Sequence, residues 1–230
     1  MAAMRACDPL LPAFAQSFGA SMGEVAQTIS AFAIAYGLLQ LVYGPLADRY
    51  GKFRVVACAV TACALGNLLA LIAGDLQMLV WARVLAGATA GGIIPLALAW
   101  VGDAVIYERR QEVLAQLMVA TLLGTAFGQW ISGVLADTVG WRAVFGLLAT
   151  LFLLLGLRLL QMARSRPAVA VLQGSSYLRG VVDVLRQPWA RRILIVVAVE
   201  GAFAFSAMVF MPAYLHADFG LSLQHAALIT

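Results

Sequence analysis

Gly44-Pro45-Leu46-Ala47-Asp48-Arg49-Tyr50-Gly51-Lys52-Phe53-Arg54 is the stretch whose reading decides the fold. It lies between two apolar runs, Val25 to Ala47 and Val55 to Gly74, and neither run carries a charge. A helix that crosses a bilayer needs about 20 apolar residues, and each run is long enough. The short join predicts a tight helical hairpin, in which Gly44 and Gly51 allow close packing or a sharp turn. One acid and three bases gather at a single membrane face. Asp48 can accept hydrogen bonds from Arg49, Lys52, Arg54 or nearby helix ends.

Composition agrees with that reading. The chain is 63% hydrophobic and 11% charged, whereas a soluble domain is about 25% charged. A large soluble core is excluded, and an all-α, polytopic transmembrane helix bundle is indicated. The net charge of +4 does not point to nucleic acid, because the bases follow the topology. With the Asp48 hairpin inside the cell, Arg49, Lys52, Arg54, Arg109, Arg110, Arg158, Arg164, Arg166, Arg179, Arg186, Arg191 and Arg192 all lie inside. These are twelve of the fifteen Lys and Arg residues, as the positive-inside rule requires. An ordinary positive cytoplasmic hairpin would carry such bases too. Cys7, Cys58 and Cys63 fall within spans and form no CxxC, so no disulfide framework is expected. The first residues lack the pattern of a cleavable signal peptide. No nucleotide-binding loop is present, so ATP hydrolysis is not the energy source. His216 and His225 stand alone near the outer edge, and no metal site is expected.

The opening stretch resembles the loop between helices 2 and 3 of the major facilitator superfamily, G-x-L-a-D-r-x-G-r-k. Gly44, Leu46, Ala47, Asp48, Arg49, Gly51 and Lys52 match; Phe53 stands where a second base is usual, and Arg54 follows it. Asp8-Pro9-Leu10-Leu11-Pro12 resembles the outer half of helix 1 in that family. Arg83-x-x-x-Gly87 followed by small residues resembles its helix 4 signature, and Gly140-Trp141-Arg142 with Phe145 its helix 5–6 turn. The antiporter signature ends Gly-Pro-x-x-Gly-Gly. Gly128-Gln129-Trp130-Ile131-Ser132-Gly133 departs from it at Gln129 and Ser132, and so leans toward export without establishing it.

The likeness is to the twelve-helix drug–proton antiporter branch. It implies an N-terminal six-helix half at 1–162 with helix 1 truncated, a cytoplasmic linker at 163–190, and the start of a C-terminal half at 191–230. Helices 2 to 5 are expected at 24–46, 54–74, 77–102 and 113–136. Helix 6 should end near Gln161, helix 7 should cover 191–214, and the chain should stop inside helix 8. That reading counts about seven spans plus two partial ones. In the linker, Leu178, Val181, Val182, Leu185 and Trp189 recur at helical spacing opposite Arg179, Asp183 and Arg186, as in a helix lying on the membrane surface. Pro212-Ala213-Tyr214 to Phe219-Gly220-Leu221-Ser222 echoes Pro12-Ala13-Phe14 to Phe18-Gly19-Ala20-Ser21, as two related halves in parallel would.

Arg5, Asp8, Arg83 and Glu200 are the ionisable residues well inside spans. A charge there costs about 2.5–3.5 kcal/mol on insertion scales, so each needs a reason. In the family, helices 1, 4, 7 and 10 line the cavity. The resemblance therefore assigns Asp8, Arg83 and Glu200 to proton and substrate coupling. Asp8 and Arg83 lie at similar depths and are expected to approach; a static pair that only fixes packing is the alternative. Glu200 is a candidate proton carrier, or a group bonded permanently to a neighbour.

The resemblance also implies a conformational latch. Gly44, Asp48, Arg49, Gly51 and Lys52 would engage Asp103, Glu108 and Arg109 of the next inner loop, with plain solvated charges as the alternative. Gly87, Gly91, Pro95, Gly124, Gly128 and Gly133 are expected to serve helix packing. Tyr36, Gln40 and Tyr43 share one face of helix 2. That face, with Thr89, Thr121, Gln129, Trp130 and Phe203, serves either packing or substrate contact. The expected function is a secondary active transporter of the cell (inner) membrane, multi-pass and monomeric. It would export small organic compounds by alternating access, driven by a proton gradient, without a bound cofactor. A proton-coupled importer on the same fold is the alternative. A membrane enzyme would need clustered His, Ser/Asp or metal ligands in one span. The sequence shows none, and no catalytic residue is assigned.

Overall fold

The computed structural model describes residues 2–165 and 177–229, the side chains of 177–181 excepted. The chain opens with a short helix α1 (Ala2–Arg5), a 3-10 turn (Asp8–Leu10) and α2 (Leu11–Phe18). Pro9 and Pro12 each sit in a first turn, where a missing N–H costs nothing. Gly19 ends α2 in the left-handed region, φ +60°. Ser21 then starts α3 (Met22–Val25) with a capping box: its Oγ accepts from the Glu24 N–H at 3.3 Å, and the Glu24 carboxylate accepts from the Ser21 N–H at 2.8 Å. There follow α4 (Gln27–Tyr50), α5 (Lys52–Leu71), α6 (Leu76–Ala90), α7 (Ile93–Ala104), α8 (Tyr107–Thr138), α9 (Trp141–Arg164), α10 (Tyr177–Arg186), α11 (Pro188–Phe219) and α12 (Leu223–Ile229). No strand occurs among the described residues. The protein is an all-α membrane bundle.

Six stretches of the described residues are long and apolar enough to cross a bilayer. The expectation of about seven spans plus two partial ones exceeds this by one; the opening segment, broken at the 3-10 turn, and the short α12 are the two partial pieces. Charged ends lengthen the spans beyond their apolar runs. α4 continues to Tyr50, so Asp48 and Arg49 lie on its last turn and Gly51, φ +88°, is the whole connection to α5. α8 starts at Tyr107 rather than near 113, which puts Glu108 and Arg109 in its first turn. The span expected at 77–102 is broken in two at Gly91–Gly92. α10 occupies the place of the surface helix, with Val182 and Leu185 exposed. The linker stretch 166–176 lies outside the described residues.

Small residues set how closely the helices pack. A Cβ added at Gly87 would collide with the Phe32 carbonyl oxygen, and one at Gly91 would come within 2.6 Å of the Tyr36 carbonyl oxygen. Gly66 similarly admits the Ala86 backbone, so α6 is wedged between α4 and α5. Gly156 of α9 faces the Thr61 backbone of α5, with 2.7 Å from a built Cβ to the Thr61 Cα. On α8, Gly128 lies against Ala2, and Gly133 lies against the Leu223 carbonyl of α12. Gly124 meets nothing within 4 Å, and Pro95 is exposed. The close approach expected at Gly124 is not seen among the described residues.

At the end of the bundle away from Gly51, α2 docks on α9 through rings. Phe14 meets Trp141 edge-on at 5.1 Å and stacks on Phe145 at 6.3 Å, and the Trp141 Nε1–H donates to Ser17 Oγ at 3.0 Å. The echo between the two proline-led segments extends to conformation. Gly220 ends α11 at φ +65°, and Ser222 Oγ accepts from the His225 N–H at 3.3 Å, just as Gly19 and Ser21 end and restart the chain earlier.

Gly87→Ala is expected to destabilise the fold by about 1–3 kcal/mol through overpacking against backbone. Gly124→Ala should be neutral or stabilising by up to about 1 kcal/mol. Thermal unfolding of both variants in detergent, followed by intrinsic fluorescence, checks the contrast.

Candidate functional site

The 3-10 turn places Asp8 with no solvent exposure beside Arg5, which is 7% exposed. The Arg5 Nε–H donates to Asp8 Oδ2 in an ion pair. Arg83 of α6 is also fully buried. Its Nη2 donates to the Ala3 carbonyl at 3.0 Å, and its guanidinium lies 4.2 Å over the Phe32 ring of α4. Arg83 thus approaches the Asp8 segment, but Arg5 is the residue that pairs with Asp8. Arg5 precedes it by three residues in the same segment and needs no tertiary placement to reach it. Arg5 Nη1 also reaches Met208 Sδ of α11 at 3.8 Å. Asp8 Oδ1, Arg5 Nη2 and Arg83 Nε and Nη1 are buried with no partner. Such atoms are costly in a low-dielectric interior.

A second feature is the break in the fourth span. Pro95 cannot donate to the Gly91 carbonyl, and two glycines precede it. The Tyr43 O–H reaches the carbonyls of Ala88 and Thr89, each at 3.0 Å. Gly92 has no side chain where the Tyr43 ring enters. Tyr43 therefore caps, from α4, backbone acceptors at the end of α6. Beside it, Thr89 Oγ1 lies 3.2 Å from Cys63 Sγ, and Asn67 Nδ2 donates to the Cys63 carbonyl at 2.8 Å. The sequence marks this site by Gly91-Gly92-x-x-Pro95 facing a helix that carries a tyrosine. Sequence reading placed Tyr43 on the right face without its role.

At the Gly51 end, Lys52 Nζ bonds Asp103 Oδ2 at 2.5 Å and ties the α4–α5 hairpin to the end of α7. Asp48 is exposed, and the Arg49 guanidinium lies 5.3 Å from the Tyr50 ring centre. Arg109 pairs along its own helix with Glu112 at 3.5 Å, and Glu108 is exposed. The bridge between the loops runs through Lys52 rather than Asp48 or Arg49, since α4 and α5 carry these side chains on different turns around Gly51.

The remaining candidates are dispersed. Glu200 is exposed on α11, eight residues or about 12 Å along the helix from Met208. It does not join Asp8 and Arg83 in one cluster. α11 buries only Ala190, Pro212 and Ala213 among its described residues, so nothing turns Glu200 inward. Gln129 is buried and its Nε2 has no partner, Thr121 donates to its own helix at 2.7 Å, and Trp130 packs on Phe127 at 5.6 Å. Phe203 is 77% exposed.

The sequence profile of the Major Facilitator Superfamily matches residues 1–230. The chain belongs to this superfamily of transporters. Among its relatives is the quinolone resistance protein NorB of Staphylococcus aureus, 28% identical over 152 residues, which are 64% of this chain and 33% of NorB. The solved structure of the POT family transporter PepTSo superposes with a TM-score of 0.58 at 17% identity, over 99% of this chain and 49% of that one. The peptide transporter POT in complex with sulfate gives 0.57 at 19% identity, over 97% and 44%. Those likenesses show the fold. The chain thus spans about a third of NorB and about half of the solved transporters.

Within this superfamily member, Tyr43→Phe is expected to lower stability by about 1–3 kcal/mol, because it strips two carbonyls of their donor. A Lys52/Asp103 double-mutant cycle should show coupling below about 1 kcal/mol, as both side chains are partly exposed. Thermal melts of the variants measure both.

Proposed function

We propose that the full-length protein is a proton-coupled secondary transporter that exports small organic compounds by alternating access, acting as a monomer in the cell membrane. The observation that carries this reading is the buried Asp8, paired with Arg5 and with Oδ1 unpartnered, in a segment against which Arg83 is buried. Ionisable groups kept within a membrane interior are costly and mark ion or substrate paths. A proton on Asp8 would loosen its pair with Arg5, and Arg5 touches α11, the first long span after the linker stretch. Binding at this cluster is thereby joined to the position of α11. The Lys52–Asp103 bridge is the part of the inner latch that would break and re-form as the inner side opens. Export is supported by the likeness to a protein named for quinolone resistance, and by the glycine-rich stretch 128–133 on α8. Glu200 stays in the proposal as a second carboxyl, exposed on α11.

The test uses full-length protein in vesicles with a quinolone as probe. Uptake into inside-out vesicles should follow an imposed pH gradient. Asp8→Asn should abolish gradient-driven transport while retaining substrate exchange at zero gradient. Gradient dependence equal to wild type in Asp8→Asn would remove Asp8 from the coupling. Counterflow in both orientations fixes the direction, and faster inward flow in right-side-out vesicles would favour import. Asp103→Asn should lower transport with membrane insertion intact; unchanged transport would remove the Lys52–Asp103 bridge from the latch.

A further inference from the structure

The chain restarts a helix twice after a glycine in the left-handed region, at Gly19 and at Gly220, and it caps the two starts differently. At α3, Ser21 is followed three residues on by Glu24, whose carboxylate accepts from the Ser21 N–H and the Ser21 Oγ–H. At α12, Ser222 is followed three residues on by His225, and the first turn of α12 holds no acid of its own. The carboxylate there comes from another part of the chain. Asp137, on the last turn of α8, accepts from the Gln224 N–H through Oδ2 at 2.9 Å. Gly133, one turn earlier on α8, lets the two backbones meet: a Cβ built there would lie 2.7 Å from the Leu223 carbonyl oxygen and 2.9 Å from the Gln224 Cα. Leu223, Ala226 and Ala227 form the buried stripe of α12. α12 also packs on the 3-10 turn that carries Asp8.

We infer that Asp137 is an outer latch, which holds the first turn of α12 against α8 while the outer side is closed and releases it when that side opens. The latch presupposes the alternating access proposed above. α8 precedes the linker stretch and α12 follows it, so the contact joins the two parts of the chain that have to move apart. The positive-inside rule puts the Gly51 end at the cytoplasm. α8 crosses from that end, and Asp137 stands at the outer face. The chemistry suits a contact that has to break. The first N–H groups of a helix have no partner within it, and a carboxylate on them also meets the positive end of the helix. Asp137 is exposed and Gln224 half-buried, so water replaces the bond when the contact opens. What is lost is one helix cap, enough to bias two states without locking either. An acid at position 225 would travel with α12 and bias neither state. Because α12 touches the Asp8 turn as well, the latch ties outer closure to the buried ion pair.

The test uses full-length protein in nanodiscs, with Cys58, the exposed cysteine among the described residues, replaced by Ala. Spin labels at Val139→Cys and Phe219→Cys, exposed beside the outer ends of α8 and α11, report the gap by double electron–electron resonance. Wild type should show a short and a long distance. Asp137→Ala should raise the long-to-short ratio roughly fivefold, the usual effect of losing one cap. Asp137→Asn keeps an acceptor oxygen and should raise it less. An unchanged or lower ratio in Asp137→Ala overturns the latch and leaves alternating access standing. A single distance in wild type at every pH overturns both. If Asp137→Ala fails to insert, His225→Glu decides. It gives α12 the acid that Glu24 supplies to α3, competes with Asp137 for the same turn, and should also raise the ratio; no change there overturns the latch.

Discussion

The packing of α4 on α6 is registered by one close approach, the backbone of Gly87 against the backbone of Phe32. A bilayer offers no hydrophobic drive between helices, so contact depends on how nearly two backbones can meet. That contact fixes the turns on either side of it. One turn before Gly87, Arg83 is laid over the Phe32 ring at 4.2 Å. One turn after it, Gly91 meets the Tyr36 carbonyl, and Gly92 lets the Tyr43 ring in to cap the end of α6. The spacing of four along α6 therefore sets the buried cation, the tightest seam and the broken span together. A desolvated cation over a ring contributes about 2 kcal/mol, which offsets part of what burying Arg83 costs.

Much of this was legible in the sequence, and the parts that were not share a cause. The hairpin at Gly51, the all-helical class and the long spans follow from apolar runs bounded by charge, a one-dimensional signal. Helix ends were misjudged where charged residues prolong a helix past the hydrocarbon, as Glu108, Arg109 and Glu112 do at the start of α8. Hydropathy sees where the membrane ends, not where the helix does. Gly87 and Gly91 were legible as a spaced pair of small residues. Gly124 carries the same signature and meets nothing, because which face of α8 is covered is a tertiary fact.

The charged groups divide the same way. Depth along a span can be counted, and it put Asp8 and Arg83 at similar levels; the structure bonds Arg83 to the Ala3 carbonyl of the same opening segment. The choice of partner could not be counted. Arg5 reaches Asp8 within the same turn, while Arg83 spends a donor on the Ala3 carbonyl. Glu200 shows the limit most clearly. Its depth on α11 is that of a cavity residue, but depth says nothing of rotation about the helix axis, and α11 buries little around it.

The charge balance of the Asp8 cluster constrains any coupling scheme built on it. Arg5 is paired with Asp8, and Arg83 is buried against the same segment at the Ala3 carbonyl, so two buried guanidiniums accompany one buried carboxylate. A proton on Asp8 would remove the one carboxylate that Arg5 pairs with among the described residues. In a dry interior that state is much less favourable than one in which water reaches the cluster. In the proposed scheme, protonation would favour a conformation that hydrates Arg5 and Arg83. Arg5 is the group best placed to transmit the change, since it is held by Asp8 on one side and touches Met208 of α11 on the other. Arg83 is the less mobile of the two, pinned by the Ala3 carbonyl, the Phe32 ring and the glycine seam one turn away. In the proposed coupling, Arg83 would therefore be the fixed charge and Arg5 the moving one, and a proton would act on the contact between the opening segment and α11 rather than on the α4–α6 seam.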